Sequence, residues 1–323
     1  MIDFRYHLIS IVAIFLALGI GILMGSLVLG ESLVNQIENE LEDIRRTNGR
    51  LRDSVAQLQE QIRIDEDFAL LARSNLIGGE LNGEEVVVFT YAGTDGALID
   101  QVRASVEEAG GTVAATIEAT DNLDLASPAE RDQLALILGS SSSETVELHA
   151  ELGEALGGDA SAAANGEGPD GGAGAAGPSG PGNPAVEGLL ADLEQADLVN
   201  LDGASAQEDL IPTGASFVVV GGASEDPPFR LAEYTVSLAT SLASDGTPVV
   251  GAESTTSTWG MTAMLRVDDR AQDAVTTVDN AESITGSIAL VLGLEEAENG
   301  NAGNHYGIGS GAERIIPEPA PAP

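Results

Sequence analysis

The sequence predicts an α/β protein: an N-terminal transmembrane helix and a coiled-coil stalk, followed by a mostly parallel, Rossmann-like or flavodoxin-like sheet with helices on both faces. Three observations predict it. Residues 8–29 contain no charged side chain. Residues 34–62 place apolar side chains at alternating steps of three and four. Beyond residue 83, short apolar runs alternate with helical stretches, the pattern of β-α-β units.

The first run, LISIVAIFLALGIGILMGSLVL, has spanning length, since crossing the hydrocarbon core takes ~20 apolar residues whereas a secretory h-region needs only ~7 to 15. Gly30-Glu31-Ser32-Leu33-Val34 follows without an A-x-A cleavage signal, so the segment is expected to stay as an anchor; cleavage would release a soluble exported protein. Arg5 precedes the span and Glu31, Glu38 and Glu40 follow it, which by the positive-inside rule puts residues 1–30 as a cytoplasmic tail and anchor, with the bulk extracytoplasmic. Ala17, Gly21 and Gly25 recur every four residues and line one face of the span with small side chains that let two helices approach closely. The competing reading is that such residues are simply common in membrane helices.

The stalk, residues 31–77, carries heptads. Val34, Leu41, Asn48, Val55 and Ile62 fall at a, and Ile37, Ile44, Leu51 and Leu58 at d. A single polar residue at a, here Asn48, favours a two-stranded parallel pair, and Glu40 at g is placed to meet Arg45 at the following e of a second chain. A parallel homodimer is therefore expected. The alternatives are packing on the chain's own domain or on a different coiled-coil partner.

In the α/β domain, 83–295, residues 86–90 read as a buried strand, 97–109 as a helix and 112–117 as the next strand. Ser127-Pro128-Ala129-Glu130 is a capping box that starts a helix. Residues 185–196, 228–243 and 283–294 read as helices, and 216–220 and 249–253 as strands that can share the first sheet. Between the two sets, 157–183 holds little but Gly, Ala, Ser, Pro and acidic residues and reads as a disordered insertion. Residues 296–323 read as a flexible tail ending in Pro-Glu-Pro-Ala-Pro-Ala-Pro.

The charge bounds the partners. With 52 acidic and 13 basic residues the formal net charge is -39, which repels nucleic acid and anionic lipid. Such a field opposes compaction unless counterions screen it, and it reads as adaptation to a saline or alkaline medium, the alternative being ordinary acidic solubility. Cysteine is absent, which removes disulfides and thiolate metal ligation.

The loops Tyr91-Ala92-Gly93-Thr94-Asp95-Gly96 and Gly221-Gly222-Ala223-Ser224 follow predicted parallel strands, where ligands bind in such sheets, but neither contains a GKS/T phosphate loop or a full GxGxxG. Met261 and Met264 offer thioethers suited to Cu(I) and His305 offers an imidazole. Trp259, Met261, Met264 and Leu265 equally form the apolar face of a short core helix, the preferred reading for the methionines. No spacing marks a catalytic nucleophile, so the chain is not expected to be an enzyme.

The opening MIDFRYHLISIVAIFLALGIGILMGS with its heptad stalk, Thr277-Val278-Asp279-Asn280 before the helix around Ile288-Ala289-Leu290-Val291-Leu292, and the late His305-Tyr306-Gly307 resemble the MctB family of actinobacteria, the mycobacterial copper transport protein B group. The resemblance spans the chain in the same order. It implies a role in copper transport or homeostasis at the cell envelope or outer membrane, with copper as the implied metal and no copper-binding residue that can be placed here. A lone helix does not line a pore, and buried parallel strands are unlike the alternating series of an outer-membrane barrel. This supports a second expectation, an envelope scaffold whose stalked domain recruits or regulates cell-wall or division machinery through an envelope protein partner.

Overall fold

The computed structural model describes residues 4–160, 184–203, 210–227 and 230–318. The chain divides into two compact units, Met1–Asp67 and Phe68–Pro323. The first is helical throughout its described part, formed by the larger portion of α1 (Phe4–Ile77), which contains no proline to break it. Tyr6–Gly25, with mean hydropathy 2.7, is long and apolar enough to cross a membrane, and none of it is buried.

The second unit is built on a seven-stranded sheet. Its elements run β1 (Glu85–Tyr91), α2 (Gly96–Glu108), β2 (Thr112–Ala119), α3 (Pro128–Leu138), α4 (Thr145–Ala160), α5 (Pro184–Gln195), β3 (Val199–Gly203), β4 (Ser216–Val220), α6 (Leu231–Leu242), β5 (Val249–Ala252), α7 (Met261–Val267), β6 (Thr276–Val278), α8 (Ile284–Glu298) and β7 (His305–Tyr306). The strand order is β3-β2-β1-β4-β5-β6-β7, parallel except for β3, which pairs antiparallel with β2 at one edge. The two sets of strands expected from sequence share this sheet.

The run Val86-Val87-Val88-Phe89 is continuously apolar because both faces of β1 are covered. Val87, Phe89 and Tyr91 enter a core with α3 to α7, while Val86 and Val88 enter a second core with α2, α8 and Ile77 at the end of α1. Burying one such side chain contributes roughly 1.5–3 kcal/mol. The capping box at α3 forms as its sequence requires, with Glu130 N–H donating to Ser127 Oγ at 3.2 Å and Ser127 N–H to the Glu130 carboxylate at 2.9 Å.

Two expectations change. Residues 157–160, assigned to the insertion, continue α4; the rest of that insertion lies outside the described residues. Gly157 is required there, because a Cβ on it would lie 2.4 Å from the Leu242 carbonyl oxygen of α6. The tail is also shorter than the sequence suggests. Residues 305–306 form β7, in register with Thr277 and Val278, and Tyr306 bridges onward to Arg314. Buried Tyr306 anchors this segment, which glycine-rich composition alone does not reveal.

Candidate functional site

Strands β1, β4, β5, β6 and β7 end at one edge of the sheet, where parallel sheets present their ligand loops. Glu253 follows β5, Asp279 follows β6 and Gly307 follows β7. These positions converge. Asp279 accepts hydrogen bonds from Arg266 Nη1 at 2.6 Å and from the backbone N–H groups of Ile308 and Gly309 at 2.8 and 2.9 Å. Gly307 makes the approach possible: its φ is +126°, and a Cβ there would lie 2.1 Å from Asp279 Oδ1.

Arg266, buried in the last turn of α7, reaches across the edge. Its Nε donates to Thr277 Oγ1 at 2.8 Å, its Nη2 to the Tyr306 carbonyl at 2.7 Å and its Nη1 also to the Ser310 carbonyl at 3.1 Å. One guanidinium thereby ties α7 to β6, β7 and the turn after β7. Thr277 Oγ1 also lies 3.0 Å from His305 Nδ1. The hydroxyl oxygen accepts from Arg266 and still has one lone pair and its own proton to meet Nδ1, so this contact serves either tautomer of the imidazole. Burial, followed by the neighbouring Arg266 charge, holds the His305 pKa below the ordinary imidazole value.

Glu253, 3% exposed, accepts from Ser257 Oγ at 2.6 Å, Gly260 N–H at 2.8 Å, and both Thr262 N–H and Oγ1 at 2.9 Å. The carboxylate fixes the turn before α7 and the start of that helix. Glu253, Asp279 and Arg266 line a pocket of about 150 Å³ together with Ser254, Thr255 and Ser310. Both oxygens of each carboxylate already accept hydrogen bonds, so the arrangement is suited to holding three loops rigid around a polar cleft. It is poorly suited to passing protons.

The two glycine loops singled out in the sequence close on each other. Asp95 N–H donates to the Gly222 carbonyl at 3.1 Å, and the Asp95 side chain caps α2 through Ala97 N–H at 3.0 Å. A Cβ at Gly221 would lie 2.7 Å from Met261 Sδ, and one at Gly222 2.6 Å from Ser257 Oγ. The crevice between β1 and β4 is therefore packed with the chain's own side chains.

Met261 is fully buried in the α3–α7 core, and Met264 is partly buried against it. His305 sits on β7 with its Nδ1 on Thr277. Among the described residues, no three or more His, Asp or Glu side chains group to hold a metal ion. On α1, Ile37, Leu41, Ile44, Leu51, Val55, Leu58 and Ile62 are all exposed, as is Asn48; the side chain of Val34 lies outside the described residues. Nothing lies within 4 Å of a Cβ built on Gly21 or Gly25, and Ala17 is exposed on the same span.

Sequence reasoning missed Arg266 and did not weigh Glu253 or Asp279 as a pair. The available signals were an arginine within the apolar run around Met261–Leu265, acidic residues directly after two short strands, and the Gly-x-Gly of 307–309.

The fold and this edge define an α/β protein with a mostly parallel sheet, whose N-terminal apolar helix fits a membrane anchor. The chain belongs to the family described as "Copper transport outer membrane protein, MctB", whose model matches residues 1–317. Over 98% of its length it is 28% identical to the protein named Copper transporter MctB of Mycobacterium tuberculosis (strain ATCC 25618 / H37Rv), covering 99% of that protein. The Mycobacterium bovis protein of the same name gives the same identity and coverage, and that of Mycobacterium leprae is 25% identical over 98% of this chain. The resemblance read from the N-terminal block and the two short later segments is thus shown. Those later segments, 277–280 and 305–307, meet in the Arg266 network.

Proposed function

We propose that the chain serves copper transport or homeostasis at the cell envelope as a membrane-anchored, non-enzymatic protein. The observation that carries this reading is a family match running through anchor, stalk and sheet together, beside relatives whose printed name is Copper transporter MctB. The N-terminus lies in the cytoplasm and the α/β unit outside it, on the charge bias around the span. The stalk is a parallel coiled coil that pairs two copies, helped by Ala17, Gly21 and Gly25 in the anchor. The strand order, reversing direction of growth between β1 and β4, supports a Rossmann-like or flavodoxin-like ancestry for the domain.

A direct copper contact would use Met261, Met264 or His305. Met261 then has to leave a dry core, and His305 has to give up the Thr277 hydroxyl or its proton. A second reading, an envelope scaffold for cell-wall or division machinery, is favoured by one observation: the apolar face of α1 is exposed. Deleting the gene in its native host separates the two. Altered copper tolerance supports the copper reading; unchanged tolerance with altered sensitivity to wall hydrolases favours the scaffold.

A further inference from the structure

Two kinds of arginine occur along the stalk. Arg46 and Arg63, at f and b positions on the outer face, are held within their own helix: Arg46 pairs with Glu42 at 2.6 Å, and Arg63 with Glu60 at 2.7 Å and Asp67 at 2.9 Å. Arg45 and Arg52, at successive e positions beside the a/d face, make no ion pair or hydrogen bond among the described residues, and neither does Arg50 at an outer c position. The face they flank is apolar and open, with Ile37, Leu41, Ile44, Leu51, Leu58 and Ile62 between 44% and 64% exposed. A stripe of that length invites a partner.

The stripe also has a defined end. The next d position is Asp65, which is exposed and accepts from Gln61 Nε2 at 2.8 Å. The a and d positions after it, Ala69 and Ala72, are half-buried, and the adjoining Arg73 and Ile77 are buried. Arg73 pairs with Glu108 of α2 at 2.7 Å, and Ser74 Oγ donates to the same carboxylate at 3.0 Å. From Arg73 to Ile77, α1 is held by the chain's own domain, through Glu108 and Ser105 of α2 and through the core that Ile77 enters.

We propose that residues 37–62 pair with the same residues of a second copy, parallel and in register, and that this pairing ends at Asp65. Glu40 of each copy accepts from Arg45 of the other, and the amides of the two Asn48 residues meet across the seam. Charge complementarity selects a second copy over an unrelated helix, since the one acidic g residue and the basic e residue that follows it lie on the same chain. The inference rests on the stalked, paired reading above and is independent of copper.

The chain has no cysteine, so single-cysteine variants of the full-length protein in native membranes report contacts directly. Under mild oxidation, Leu51→Cys and Leu58→Cys are expected to give disulfide-linked dimers, and Asp53→Cys and Ala72→Cys to stay monomeric. Adding Glu40→Arg to Leu51→Cys lowers the linked fraction several-fold, and adding Arg45→Glu as well restores it. No linkage at 51 and 58, linkage at 53 as strong as at 51, strong linkage at 72, or failure of the charge swap to restore it overturns the proposal. Copper tolerance measured in the same strains distinguishes the two failures: loss of linkage with the copper phenotype intact overturns the pairing alone, whereas linkage with no copper phenotype on gene deletion overturns the copper reading alone.

Discussion

Arg266 and Asp279 form a buried ion pair at 2.6 Å across the carboxyl edge of the sheet, with side chains only 3% and 10% exposed. Removing one member leaves the other charged and buried, which costs about 3–5 kcal/mol. Arg266→Ala and Asp279→Ala are each expected to destabilise the α/β unit by that amount, and the double variant by clearly less than the sum. Denaturant unfolding of the full-length protein in detergent, followed by the fluorescence of its single tryptophan, checks this.

That tryptophan stands close to Glu253. Trp259 N–H donates to Ser257 Oγ at 3.1 Å, and Ser257 in turn donates to Glu253. Glu253→Gln replaces one acceptor oxygen with a donor facing other donors, at a cost of about 2 kcal/mol. Its emission is expected to shift to the red under native conditions. An unchanged emission spectrum and midpoint would show that the turn does not depend on the carboxylate.

At the opposite edge, Ser216 Oγ donates to Glu298 at 2.8 Å. Burial and the neighbouring carboxylates Glu84 and Glu295 push the Glu298 pKa up from 4.5 to about 7. The folded state therefore holds this proton more tightly than the unfolded chain. Its contribution is full below pH 4.5 and is lost as pH rises through about 7. The difference in stability between the wild-type chain and Glu298→Gln should fall by about 2 kcal/mol over that interval. Melting curves collected across the range read it directly, and parallel curves for the two proteins would refute the assignment.

His149 gives the opposite slope. It is buried, its Nε2 donates to the Leu123 carbonyl at 2.8 Å, and its ring stands edge-on to Tyr234 at 4.1 Å. Burial drives its pKa from 6.5 down to about 4. The stabilising contribution of the neutral ring is present above pH 6.5 and is lost as pH falls toward 4. His149→Gln, which keeps a donor for Leu123, is expected to lose less stability than the wild-type chain across that window, a difference that acid titration followed by circular dichroism measures.

Legibility in the sequence followed burial pattern. The β1 run and the apolar stretch of α8 are covered on all sides and read as continuous hydrophobicity, and the α3 capping box is a local hydrogen-bond motif that depends on nothing distant. β3 escaped because it is an edge strand with an acidic and a polar residue in five, and β6 and β7 because three and two residues carry no period. In α4, Gly153 and Gly157 look like helix breakers. They are contact points: a Cβ at Gly153 would lie 2.5 Å from the Leu238 carbonyl oxygen, so only glycine lets α4 and α6 approach this closely. Glu253 and Asp279 were hidden among 52 acidic residues, and their place directly after two short strands marks them only once β6, three residues long, is recognised as a strand.

Cell-associated copper in a deletion strain, grown with added copper and complemented with the full-length gene, tests the central claim most directly. The account predicts that deletion changes cellular copper content, that the full-length chain restores it, and that a chain lacking residues 1–30 but exported by a cleavable signal does not. Copper content that is the same in the wild-type, deleted and complemented strains would contradict it.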